Sequence, residues 1–78
     1  MSDLLKYMLE KLTGNSDFEI EEISENEGFV GLIAHIRAED MGLVIGKEGA
    51  TIKSIRNILR IKAILDKKAF SLNVLEKS

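Results

Sequence analysis

The 78-residue chain has no cysteine, no proline and no tryptophan. Without cysteine, neither disulfides nor thiolate metal sites can brace the fold, and a reducing compartment is the simpler expectation. Without proline, a low-complexity stretch or an internal repeat, nothing marks a linker, so a single domain is expected over residues 1–78. Long hydrophobic runs are missing as well. In the opening "MSDLLKYMLEKL", Asp3, Lys6, Glu10 and Lys11 interrupt the apolar residues. That pattern excludes a secretory signal and a membrane span, and the expectation is a soluble, cytoplasmic protein with no membrane partner.

Catalytic and metal-binding constellations are equally scarce. A domain this small buries only about 60% of its unfolded surface, which leaves little room for a large cavity. No serine or lysine comes with the base and orienting partner that nucleophilic catalysis needs, so an enzyme is not expected. The lone His35 has neither cysteine nor a second histidine to share a metal with, and the acids between Asp17 and Glu27 lack the spacing of a calcium loop. No cofactor and no metal follow from this sequence.

Charge is present in abundance and unevenly placed. The net charge is −2, yet residues 1–40 carry ten acids against three bases, a net of −7. Residues 41–78 carry eight bases against three acids, a net of +5. Such asymmetry fits a bipolar surface with one face able to meet a polyanion. It fits equally well two halves that simply attract each other.

Periodicity supplies the elements. Leu5, Met8, Leu9 and Leu12 recur at helical spacing, which predicts a helix over 3–12 with Asp3 as N-cap and Gly14 as its stop. "DFEIEEIS" and "FVGLIAHIRA" read as strands joined by a turn at 25–28, the second alternating through Val30, Leu32, Ala34 and Ile36. The first slips phase between Ile20 and Ile23, the mark of a bulge or an early end. Asp40 is expected to cap a short helix over 41–45, a second helix to run from Gly49 to Leu65, and "AFSLNVLE" to form a third strand through Phe70, Leu72 and Val74. A right-handed helical crossover then makes the last strand parallel to the hairpin's second strand. The expected fold is α+β, in the order helix, strand, strand, helix, helix, strand, with a three-stranded mixed sheet covered on one face by helices.

The stretch "MGLVIGKEGATIKSIRNILR", residues 41–60, puts Gly46 and Gly49 inside what otherwise reads as one long helix. Glycine costs a helix interior about 1 kcal/mol relative to alanine, so two in four residues mark a deliberate break. Glycine, two polar residues and glycine between helices let the backbone approach a phosphate, and the helix that starts there aims its N-terminal dipole at the anion. The spacing alone is weak evidence, and Gly28 and Gly31 match it too. That copy encloses apolar residues and opens a strand, whereas the copy at 46–49 sits between helices with a basic helix behind it.

"VIGKEG" followed by "TIKSIR" resembles the signature of a K-homology (KH) domain, and the element order is similar to its type II form. A single such domain spanning the chain resembles the small stand-alone KhpA family of bacterial RNA-binding proteins. The resemblance implies binding of single-stranded RNA, about four nucleotides long, in a narrow groove. It assigns Gly46, Lys47, Glu48 and Gly49 to the phosphate loop, Val44, Ile45 and Ile52 to apolar base contact, and Lys53 and Arg56 to the helix flank. The edge of the last strand, residues 70–74, is the candidate reader of base edges. Leu43, Glu48 and Ala50 stand where resembling sequences often carry bases, which implies weak, salt-sensitive binding. None of Tyr7, Phe18, Phe29 or Phe70 lies near the loop, so a stacking platform is disfavoured. A post-transcriptional regulator or RNA chaperone is the role this implies.

Two alternatives stay open on the long helix. Lys53, Arg56 and Arg60 fall within about 60° at 100° per residue, as a groove flank or as an ordinary solvated face. Ile58, Ile61 and Leu65 form a second apolar line beside the one built from Ile52, Ile55 and Leu59. The first helix can cover that line through Leu5, Met8 and Leu12, or a second chain can. The resemblance favours a second chain, as a homodimer or as a heterodimer with a larger, KhpB-like KH-domain protein. A protein-interaction module with weak or no RNA binding is therefore the competing function.

Overall fold

The computed structural model describes residues 1–26 and 28–77. Its elements are α1 (Ser2–Thr13), β1 (Phe18–Asn26), β2 (Phe29–Arg37), α2 (Ala38–Ile45), a 3-10 turn (Lys47–Gly49), α3 (Ala50–Leu65) and β3 (Ala69–Lys77). The strands form one sheet in the order β1-β2-β3, with β1 antiparallel and β3 parallel to β2. This is the expected α+β arrangement, three helices on one face of a mixed sheet.

Alternation along β2 decides which face is covered. Val30, Leu32, Ala34 and Ile36 are buried beneath the helices, while Phe29, Ile33, His35 and Arg37 are half-buried on the other face. Leu5 and Leu9 from α1, Val44 from α2, and Ile52, Ile55 and Leu59 from α3 close the core over them, with Leu72 from β3. Burying each such side chain contributes about 1.5–3 kcal/mol, so this aliphatic layer carries the stability that cysteines and metals do not supply.

The expected boundaries hold except where an acid was read as a cap. Helix α1 starts at Ser2 after Met1 with no side-chain cap, and Asp3 lies inside its first turn, where its charge still opposes the helix dipole. Gly14 ends it in the left-handed conformation, φ 73°, donating its N–H to the Glu10 carbonyl. Helix α2 starts at Ala38, three residues earlier than expected, because Asp40 turns its carboxylate to Arg37 instead of capping. The phase slip in β1 is neither a bulge at that point nor an end. Phe18 through Ile23 pair regularly with Ile36 through Gly31, Ile23 lies on the uncovered face, and the register shift falls between Ile23 and Asn26. Of the turn expected at 25–28, Glu27 lies outside the described residues, and Gly28 accepts a hydrogen bond from the Ala69 N–H at 2.7 Å.

Candidate nucleic-acid interface

The loop is built by two constraints that only glycine meets together. Gly46 adopts φ 77°, ψ 174°, a conformation open essentially to glycine alone, and a Cβ there would strike Thr51, whose backbone nitrogen lies 2.8 Å from the Cβ position. Gly49, at φ 76°, ψ 13°, is left-handed but unobstructed, with the Ile52 Cγ2 4.0 Å away. Between them Glu48 is also left-handed, φ 56°. The turn is closed by the Gly46 N–H on the Gly42 carbonyl at 2.9 Å and by the Gly49 N–H on the Gly46 carbonyl at 3.2 Å. Lys47 and Glu48 are exposed on it, and no side chain caps the start of α3.

Helix α2 carries this loop and is anchored at both ends. Val44 locks it into the core, and the buried Asp40 holds its first turn. The Asp40 Oδ2 accepts from Arg37 Nε and Nη2, each at 2.9 Å, and from Asn15 Nδ2 at 3.3 Å. The same hydrogen bond raises the Arg37 pKa above its ordinary value, with Asp40, Glu39 and Asp17 adding charge attraction. Residues 15, 37 and 40 were not candidates in the sequence. The i,i+3 pairing of Arg37 with Asp40 was the available signal, hidden by reading Asp40 as a cap.

The residues proposed for RNA separate into two layers. Lys47, Glu48 and Lys53 are exposed, Ile45, Gly46 and Gly49 are half-buried, and all six surround the loop. Val44 and Ile52, expected to touch bases, have 0% and 7% exposure and form the floor beneath it, because α2 and α3 pack on the sheet through them. Arg56 is half-buried and donates from Nη2 to the Leu72 carbonyl at 3.2 Å. That bond fixes the basic flank of α3 against β3. Since the Ala69 N–H points to β2, strand alternation turns the N–H and C=O groups of Phe70, Leu72 and Val74 toward the free edge of β3. The Arg56 bond therefore places the basic flank of α3 beside that edge.

Charge follows this geometry. Among the described residues, Lys47, Lys53 and Arg60 make no ion pair, and Lys77 is the base of the second half that reaches acids of the first, Asp17 at 3.4 Å and Glu19 at 3.9 Å. The acids of β1 lie across the sheet from β3. His35 bonds Glu21 at 2.7 Å on the uncovered sheet face, and no group of three or more possible metal ligands occurs among the described residues. Among the described residues, no helix is long and apolar enough to cross a membrane.

The second apolar line on α3 is open. Ile58, Ile61 and Leu65 are 48%, 61% and 74% exposed, and Ile64, which the sequence reading left out, is 65% exposed. Helix α1 approaches only its near end, where Tyr7, Met8, Lys11 and Leu12 face Thr51, Ser54, Ile55 and Ile58 across a shallow groove of about 230 Å³.

The model of the KhpA/KhpB, KH domain family matches residues 2–74. The chain belongs to that family. An RNA-binding protein KhpA of Caldanaerobacter subterraneus subsp. tengcongensis is 31% identical over 77 residues, covering 96% of this chain and all of the relative. One from Chlamydia caviae is 31% identical, covering 97% of each chain. One from Clostridium perfringens is 29% identical, covering 96% of this chain and all of the relative. No solved structure is a significant match. The relatives are bacterial RNA-binding proteins by name, and the KhpA/KhpB family is not an enzyme family.

Proposed function

We propose that this KhpA/KhpB-family protein binds single-stranded RNA, holding about four nucleotides in the groove between the Gly46–Gly49 loop, the basic flank of α3 and the free edge of β3, and acts in the cytoplasm as a post-transcriptional regulator or RNA chaperone. The loop is the observation that carries this reading. Its left-handed backbone, exposed Lys47 and uncapped helix start suit one phosphate, and Lys53 and Arg56 follow along the flank. Ile45 offers apolar surface to a base, with Val44 and Ile52 supporting it from below. The names of the relatives agree with RNA as ligand.

Replacing Lys47 and Glu48 together by aspartate tests it. Two acids would then face the phosphate path, and aspartate tolerates the left-handed position better than glutamate, so the fold should survive. Titration of a labelled short single-stranded RNA should show affinity at least tenfold lower with little change in Tm. Unchanged affinity would remove the loop from the mechanism.

A second reading rests on the exposed Ile58, Ile61, Ile64 and Leu65. Apolar area of this kind on one helix suits a second chain, and a two-fold arrangement would bring the same strip from each protomer together. The working form is then a homodimer, or a heterodimer with a larger KhpB-like KH-domain protein. Protein pairing is the alternative function if the natural chain itself shows little or no affinity for single-stranded RNA.

A further inference from the structure

Helix α3 ends in a turn that costs more than it must. The Lys67 N–H donates to the Ile64 carbonyl at 3.0 Å and the Lys68 N–H to the Ala63 carbonyl at 2.9 Å, a closure that requires a left-handed residue at position 67. Glycine is the usual occupant, and Gly14 fills the corresponding place after α1. Here it is Lys67, at φ 58°. Strain of this kind on a residue with a Cβ collects at functional positions. A cation near a helix C-terminus is favoured by the dipole, but that would be served from any position in the last turn, as Lys62 already does beside Asp66 at 3.5 Å. The dipole does not account for a lysine at the left-handed position of this turn.

The position of this turn suggests its use. Arg56 binds the β3 backbone, so the flank carrying Lys53, Arg56 and Arg60 borders the β3 edge. Arg60 is exposed one turn beyond Arg56 and about 10 Å along the axis from Lys53. The segment Asp66–Lys68 then joins α3 to Ala69, at the opposite end of α3 from the glycine loop. Lys67 and Lys68 are exposed there, and among the described residues neither they nor Arg60 makes an ion pair.

We propose that Arg60, Lys67 and Lys68 form a second phosphate-binding patch at the far end of the α3–β3 groove, so that RNA longer than four nucleotides continues from the loop along α3 to this turn. The inference rests on the groove reading above and extends its footprint. Each phosphate neutralised on a single strand steepens the slope of log K against log salt by about 0.7. A tetranucleotide touching roughly three cations should give a slope near −2, and an octanucleotide reaching three more should give a slope near −4.

Labelled oligouridylates of four and eight nucleotides, titrated at several salt concentrations, test the patch against the natural chain and a Lys67→Gly, Lys68→Gln variant. The octamer should bind the natural chain at least fivefold tighter than the tetramer, with the steeper slope. The variant should lose most of that advantage, bind the tetramer as before, and melt no lower than the natural chain, because glycine relieves the left-handed strain. Equal affinities and slopes for the two lengths would overturn the patch while leaving the loop groove standing. An octamer advantage that survives in the variant would overturn it too, assigning the gain to bivalent reach across a dimer. If the tetramer itself fails to bind, the groove reading falls first and the patch with it.

Discussion

Gly46 and Gly49 belong to one motif but answer to different constraints. At Gly46 a side chain meets both a forbidden backbone conformation and the Thr51 backbone, which cannot move without unwinding the first turn of α3. At Gly49 only the left-handed conformation stands in the way. Gly46→Ala should therefore cost about 2 kcal/mol or more, roughly 10 °C in Tm for a domain this small, and Gly49→Ala about 1 kcal/mol, roughly 5 °C. Thermal melts of the two variants check the order, and equal losses would contradict it. The sequence displayed both glycines and the break they make in the helix. It could not display Thr51 underneath, because that contact depends on how α3 leaves the loop. Asp40 shows the same limit: an acid before an apolar run reads as a cap, and only the folded chain shows it turned to Arg37 and Asn15.

Among the elements, α3 presents three faces to three surroundings. Ile52, Ile55, Leu59 and Ala63 face the sheet, Lys53, Arg56 and Arg60 border β3, and Ile58, Ile61 and Leu65 face outward. Helical periodicity made all three lines readable in advance, since side-chain direction repeats every 3.6 residues whatever the helix packs on. What periodicity could not say was whether α1 reaches the outward line, and α1 stops at Ile58. Ile61→Asp should therefore leave a folded chain with Tm little changed, convert a dimer to a monomer, and weaken binding to long RNA through lost bivalency. Sedimentation at tens of micromolar decides it. A natural chain that is already monomeric, or a variant that unfolds, would return the strip to the monomer. The strands were legible for the same reason as the helices, except β1, where Ile20 and Ile23 point to opposite faces of a regular strand. The apparent slip is an apolar residue, Ile23, on the uncovered face.

For the whole molecule, a net charge of −2 hides the arrangement that matters. The order β1-β2-β3 puts the acidic strand at one edge of the sheet and leaves the other edge beside the basic flank of α3. An approaching phosphate at the loop meets the exposed Lys47 and Lys53, with Glu48 as the acid beside them. Among the described residues, the ion pairs between the two halves are those of Lys77, at the C-terminal end of β3, with Asp17 and Glu19. The central claim is that the glycine loop and the adjoining α3–β3 groove are where RNA binds, and amide chemical shifts report this residue by residue. On adding a four-nucleotide single-stranded RNA to the isotope-labelled protein, the account predicts that the largest changes fall at residues 46–49, in the first turns of α3 and along 70–74. Changes centred on Ile58, Ile61 and Leu65 or on the uncovered sheet face, with residues 46–49 unmoved, would contradict it.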